Sequence, residues 1–434
     1  MFKGVIQTLS LGLQHVLAMY AGAIIVPIIV GNALGFTTEQ LTYLISVDIV
    51  MCGIATLLQA WNSKYIGIGL PVVLGCTFTA VGPMITIGTT IGTSAIYGAI
   101  IVAGIFILLF SGIFGKLVKY FPPVVTGSVV LIIGITLMPV AMNNVAGGQG
   151  SKDFGNVENI ALAAFVLVFI LLIYRFGKPF MRATAVLLGL VVGTIAAALL
   201  GKVNFTAVND ASLFHMVTPF HLGMPSFDIT AILTMIIVVL VGVVEATGVY
   251  FALGDIYKKD ISEKDLARGY RAEGLAILIG GLFNAFPYTT YSQNVGLIQL
   301  SGVKSMKVIY TCGGMLIAFG LVPKLAALTT IIPNAVLGGA MIAMFGMVMS
   351  YGIKMLTKVD LNEQGNLLVI ACSVGLGLGV TAVPSIFDKL PEGIQILTDS
   401  GIVLGSITAI VLNLLFNTSK RKIVEVTEVK QQVV

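Results

Sequence analysis

Apolar residues along this chain come in long unbroken runs, not in the alternating or three-to-four-residue patterns of a fold that faces water. A helix needs roughly 20 apolar residues to cross a hydrocarbon core of about 30 Å. Windows of that length return fourteen segments: 11–31, 42–60, 68–88, 95–115, 124–142, 158–176, 183–201, 229–252, 268–284, 286–301, 308–325, 332–353, 364–383 and 400–416. The connections are short and leave no room for a separate soluble domain. The first run contains His15 and is long enough to span, so it reads as a first crossing, not a cleavable leader.

Two segments break the pattern. "IGLPVVLGCTFTAVGPM" (68–84) and "FPYTTYSQNVGLIQLSG" (286–302) each carry a proline, then a short β-prone run, then polar residues, then a short apolar helix. Thr77 lies six residues after Pro71, and Gln293 lies six residues after Pro287. A weaker echo matches Pro122 and Gly127 with Pro333 and Gly338. Spans three and ten are therefore equivalents, seven crossings apart. Seven is odd, so the two halves enter the membrane from opposite sides. The expected fold is an all-α polytopic membrane protein of 14 transmembrane spans, arranged as a 7+7 inverted repeat with short β-strands interrupting spans 3 and 10. Interrupted helices in inverted repeats are a recurrent design of secondary transporters. Non-helical backbone survives inside a bilayer only where protein or a watery cavity covers it. The polar run at 286–302 thus reads as a binding wall, with a half-helix N-terminus turned to a solute.

Composition agrees. The 434 residues are 57% hydrophobic and 10% charged, with a mean hydropathy of +1.03. With the N-terminus inside, 20 of the 24 Lys and Arg fall on the inner side, and only Lys152, Lys202, Lys324 and Lys389 fall outside. This positive-inside bias supports an even span count and both termini cytoplasmic; the expected location is the cell membrane. It also explains the net charge of +5 without a nucleic-acid partner, which would need basic residues gathered on one face. Cys52, Cys76, Cys312 and Cys372 lie inside spans with no metal-ligand spacing. His215 and His221 fall in the loop before span eight. No Ser–His–Asp set, phosphate loop or metal cluster is present in the sequence, so neither an enzyme nor a cofactor or metal is expected.

Glu245 is the sharpest single signal, with sixteen uncharged residues before it and nine after it. A charge at that depth costs about 2.5–3.5 kcal/mol on insertion scales. It reads as a carboxylate that binds solute N–H groups, exchanges a proton, or does both. Glu273 stands close to Arg268 and Arg271, where an interfacial ion pair and a coupling role are both open. Asp48, in mid-span, is either structural glue or part of a proton path. His15 reads as a residue that orients the site. Gln293 and Asn294 are ligand candidates because a carboxamide offers both a donor and an acceptor, which suits the amide-like edge of a purine or pyrimidine. Thr77 is the positional equivalent of Gln293, and Phe78, Tyr288 and Tyr291 offer ring faces for stacking.

"QHVLAMYAG" (14–22), "EATGVYFALGD" (245–255), "RAEGLA" (271–276) and "NAFPYTTYSQNVGLIQLSG" (284–302) together resemble the nucleobase–ascorbate transporter family, most closely its bacterial xanthine permeases. The family signature is met by Gln293, Asn294, Gly296 and Gly302, with Ser301 in place of the usual threonine. The resemblance implies a core domain of spans 1–4 (1–120) and 8–11 (226–327). It implies a gate domain of spans 5–7 (121–225) and 12–14 (328–417), with 418–434 as a cytoplasmic tail. It also implies a homodimer, proton symport and substrate held between spans three and ten. Glu245 would hold the base, Gln293 would be the second side-chain contact, and backbone near Phe78 would close the site. Glu273 and His15 match family positions, and Gln at 293 favours xanthine over uracil. One departure stands out: Val249 occupies a position where many relatives carry Asp or His. Other nucleobases (uric acid, guanine or uracil) and a related-fold anion transporter remain as alternatives.

Overall fold

The computed structural model describes the backbone of all residues except 1, 118–121, 302–304, 388, 392–393, 396–397 and 432–434. Side chains are described for the same residues apart from 2–4, 117, 292–293, 299–301, 384 and 418–431. The element order follows the fourteen apolar segments. The first half runs α1 (Phe2–Ala33), α2 (Thr38–Ala60), β1 (Leu74–Cys76), α3 (Val81–Thr90), α4 (Thr93–Leu117), α5 (Pro123–Thr136), α6 (Met138–Val145), α7 (Val157–Phe176), α8 (Pro179–Ala183), α9 (Ala185–Leu199) and the loop helix α10 (Thr206–Asp210). The second runs α11 (Ile229–Tyr257), α12 (Glu263–Leu282), β2 (Tyr288–Thr290), α13 (Ser292–Ser301), α14 (Met306–Gly320), α15 (Pro323–Thr330), α16 (Asn334–Leu356), α17 (Gln364–Ala382) and α18 (Gly401–Gln431).

Among the described residues eight helices are long and apolar enough to cross a membrane, and α14 with α15 would make a ninth, bent by 77°. Apolar side chains such as Leu109 and Leu171 remain exposed, 70% and 55% respectively, as lipid-facing positions should. Helix ends carry their own signals. Thr37 caps α2 in a reciprocal box with Gln40, Ser262 does the same for α12 with Asp265, and Asp228 caps α11. Two segments that read as continuous spans are broken. Pro139 cannot donate to the α5 ladder, so span five divides at Leu137, and Pro323 opens α15 at its first turn, so span eleven bends there. In the other direction, α18 continues to Gln431 through residues expected to be a solvated tail; that stretch holds no Gly or Pro to stop it.

The chain divides into two compact units, Met1–Lys116 with Met138–Met344, and Leu117–Leu137 with Phe345–Val434. In the smaller unit α5 packs on α17 and α18. Gly127 and Gly352 face one another there, each placed so that a Cβ would fall about as close as 3.0–3.2 Å to the other's carbonyl. The larger unit holds both strands. They pair antiparallel in the register Leu74↔Thr290, Gly75↔Thr289, Cys76↔Tyr288. With Pro71 equivalent to Pro287, residue 74 is the counterpart of residue 290, so Leu74 pairs with its own equivalent. A two-fold axis lying in the membrane would produce that pairing.

Helix packing repeats in the same way. Spans two and eleven meet through Gly53 and Gly313, where a Cβ on Gly53 would lie 2.6 Å from the Gly313 carbonyl oxygen. Spans nine and four, their counterparts, meet through Gly274 and Gly104, and a Cβ on Gly274 would lie 2.7 Å from Leu108 N. Backbone atoms cannot yield to a methyl group as a flexible side chain can. We expect Gly53→Ala and Gly274→Ala each to cost about 1–3 kcal/mol of stability. Gly242→Ala, where a Cβ meets nothing within 4 Å, should be neutral; thermal unfolding in detergent would separate the three.

Candidate functional site

The two strands form the floor of the site. Thr77 N donates to Pro287 O (2.9 Å) and Tyr291 N donates to Val73 O (2.9 Å), which extends the pairing beyond the three rungs. The Tyr291 ring lies across the sheet and its hydroxyl donates to Cys76 O (3.0 Å). Glycine at 75 and at 22 makes room for it: a Cβ at these positions would fall 2.3 and 2.6 Å from the ring. After each strand a short helix begins, α3 through a 3-10 turn at Phe78–Ala80 and α13 directly. The α11 helix packs on both half-helices, on β2 and on that turn.

Several polar groups around the strands have no protein partner. The hydroxyls of Thr79, Thr289, Thr290 and Tyr288 are buried without one among the described residues, as is Asn294 Oδ1. Strand alternation puts Tyr288 and Thr290 on one face and Thr289 on the other. A buried unpaired group costs about 1–3 kcal/mol, so those that share a face with a polar solute would gain a partner from it. Asn294 shows why its oxygen is the free atom. Its Nδ2 donates to His15 O (3.0 Å) and lies 3.0 Å from His15 Nδ1. The His15 carbonyl can only accept, so the amide cannot turn round, and Oδ1 is left as an acceptor. Helix α1 thereby fixes the first turn of α13.

Glu245 projects from α11 and stays partly accessible. Nothing among the described residues hydrogen-bonds its carboxylate, and it lies within electrostatic reach of Tyr291 and Glu273. Glu273 is held differently: Tyr250 OH donates to its Oε1 (2.7 Å). Gln59 Nε2 in turn donates to the Tyr250 hydroxyl and to Gly269 O (3.2 Å), while Gln59 Oε1 accepts from Ile68 N (3.3 Å). The ion-pair alternative for Glu273 is not what forms. Arg271 goes to Ser111 Oγ (3.0 Å) and Tyr65 O (3.0 Å), and Arg268 to Ser63 O (2.9 Å) and Asp265. Asp48 anchors the strand, with Oδ1 accepting from Phe286 N (2.8 Å) just before β2.

A family model described as a permease family matches residues 6–386. The xanthine permease of Bacillus subtilis (strain 168) is 62% identical over 98% of this chain and 97% of its own length. The chain belongs to the nucleobase–ascorbate transporter family. The uric acid permease PucK of the same organism is also 62% identical, over 96% of each chain. Among solved structures, the transmembrane domain of a cyanobacterial bicarbonate transporter, BicA, superposes with a TM-score of 0.67 at 18% identity. It covers 89% of this chain and 98% of that one, which shows a shared fold. This is a multi-pass membrane permease and not an enzyme.

Within the permease, one unit brings Glu245, Glu273, Asn294, His15, Asp48, Thr77, Phe78 and Tyr288 around the two strands. The Thr77 hydroxyl is turned back onto its own turn, where it accepts from Thr79 N (3.3 Å). Phe78 opens that turn and is half-buried. The side chain of Gln293 lies outside the described residues; its backbone stands in the first turn of α13. Val249, the family departure, is buried. Sequence reasoning missed Gln59 and Tyr250. A glutamine at the end of a span and a tyrosine five residues from a glutamate carry no pattern of their own.

Proposed function

We propose that the permease imports xanthine by proton symport, with Glu245 and Gln293 as the side-chain contacts to the base. The observation that carries this reading is Glu245: a partly accessible carboxylate, unpaired among the described residues, on the helix that packs against both half-helices and β2. Such a group accepts two N–H donors from a planar heterocycle, or one proton. Asn294 Oδ1 and the Phe78 turn complete the surround. Spans 1–4 and 8–11 act as the core and spans 5–7 and 12–14 as the gate, in a homodimer in the cell membrane with both termini cytoplasmic. A protonated Glu245 meets the base from outside, the core moves past the gate, and base and proton leave inward. Coupling requires that neither ligand alone favours the inward state.

Uric acid is the second reading, supported by equal identity to a uric acid permease. The deciding experiment is uptake of radiolabelled xanthine by proteoliposomes, with and without an inward proton gradient, in competition with uric acid. Gradient-dependent accumulation that unlabelled xanthine blocks more strongly than uric acid is the expected result. Accumulation of uric acid instead would transfer the assignment. Gln293→Glu should weaken xanthine uptake about tenfold, as expected when a donor–acceptor pair loses its donor at roughly 1.4 kcal/mol, and should shift competition toward uracil. An unchanged inhibition profile would remove Gln293 from direct contact.

A further inference from the structure

A cavity of about 1330 Å³ lies within the larger unit, between the start of α2, the segment 204–222 and the α15–α16 turn. Its wall includes none of Glu245, Glu273, Asn294 or the strand residues. It does include three rings. Tyr43 is fixed by Thr218, its hydroxyl donating to Thr218 O (3.0 Å) and accepting from Thr218 N (3.1 Å). His221 lies flat on Tyr43, with centroids 3.8 Å apart and planes at 20°, and is steadied by Thr218 Oγ1 at 3.3 Å. His215 stands edge-on to both. His221 is exposed, so the stack ends in a ring face that a further planar ring can cover.

The polar groups of the same wall are specific in kind. Ser46 is 3% exposed and its hydroxyl has no partner among the described residues, and the same holds for His215 Nε2. Glu39 and Asp210 supply two carboxylates, while no Lys or Arg belongs to the wall; Lys324, beside Pro323, is not part of it. A flat, uncharged heterocycle with ring N–H groups suits this set. Its face extends the ring stack, its N–H groups meet the carboxylates, and its acceptor atoms meet Ser46. An anion of the same shape meets two like charges instead.

We propose that this cavity is a second binding site, a landing site for an uncharged purine base, distinct from the site at the strands. It rests on the reading of the permease as a purine carrier, and it adds a step of charge discrimination on the way to the deeper site. Urate carries a full negative charge at neutral pH and xanthine is mostly neutral, so the landing site accepts xanthine and turns urate away.

The test uses the full-length protein with Glu245→Gln, which weakens the deeper site, and with Ser212→Cys as a reporter on the wall of the cavity, which shares no residue with that site. Labelling of the new thiol by a charged maleimide is timed with and without base, over the background of the chain without the reporter. Xanthine at about twice its dissociation constant should slow labelling roughly threefold, as two-thirds occupancy requires, and the same concentration of urate should not. Adding Glu39→Gln and Asp210→Asn should let urate protect as well. Labelling that xanthine leaves unchanged up to its solubility limit, or that urate slows equally with both carboxylates intact, overturns the landing site. Those outcomes are independent of transport. Protection without uptake by the unaltered permease would sink the transport reading alone, and uptake without protection would sink the landing site alone.

Discussion

Glu245→Gln is expected to abolish proton-driven accumulation of xanthine while leaving the protein folded. The glutamine keeps the size of the side chain and its carbonyl acceptor, and nothing among the described residues depends on the carboxylate for a hydrogen bond. The fold therefore has little reason to notice the change. The transport cycle does notice, because the amide cannot take up and release the proton that travels with the base. Uphill uptake should fall more than about tenfold, and the internal concentration should not rise above the external one. Exchange of labelled for unlabelled base across the vesicle should persist at a reduced rate, since exchange needs no net proton movement. Undiminished uphill uptake would take the coupling role away from Glu245, leaving Glu273 as the remaining carboxylate within its reach.

The second large effect is expected at Asp48. Its carboxylate accepts from the buried Phe286 amide at the entrance to β2, and the Cys76 thiol of β1 faces the same group. Asp48→Ala strands that amide in the interior, at about 1–3 kcal/mol, at the point where the chain enters the strand. We expect loss of most uptake together with a lower unfolding temperature. Asp48→Asn retains the acceptor oxygen and loses only the ability to titrate. If Asn restores uptake and its proton dependence, Asp48 is an anchor; if Asn restores stability but not coupling, it belongs to the proton path. The two substitutions together decide between readings that the sequence leaves open.

What was legible in the sequence follows from how far each signal reaches along the chain. Spans and their breaks are local. Pro71 and Pro287, each followed by β-prone residues and a polar position six residues on, are enough to place the two strands. Glu245 stands out because no other charge lies near it. The bonds that organise the site are not local: His15 meets Asn294 across 279 residues, Asp48 meets Phe286 across 238, and Gln59 meets Tyr250 across 191. No periodicity encodes those partners. The breaks at Leu137 and Pro323 escaped for a different reason. Proline is common in membrane helices, and a run of apolar residues looks the same whether it crosses straight or bent.

The three-rung sheet has one more consequence, for how this chain can change over time. A strand advances about 3.3 Å per residue, and a slip of one residue turns every side chain to the opposite face. Here the register also sets the separation of two half-helix N-termini, since α13 starts within two residues of β2 and the turn that leads into α3 starts within two of β1. Substitutions within 71–77 or 287–293 adjust the chemistry of the wall. An insertion or deletion there moves a helix end by a whole residue, and no loop beyond it can absorb the step. These two seven-residue stretches are thus fixed in length, whereas the connection at 146–156, which joins α6 to α7, can vary in length.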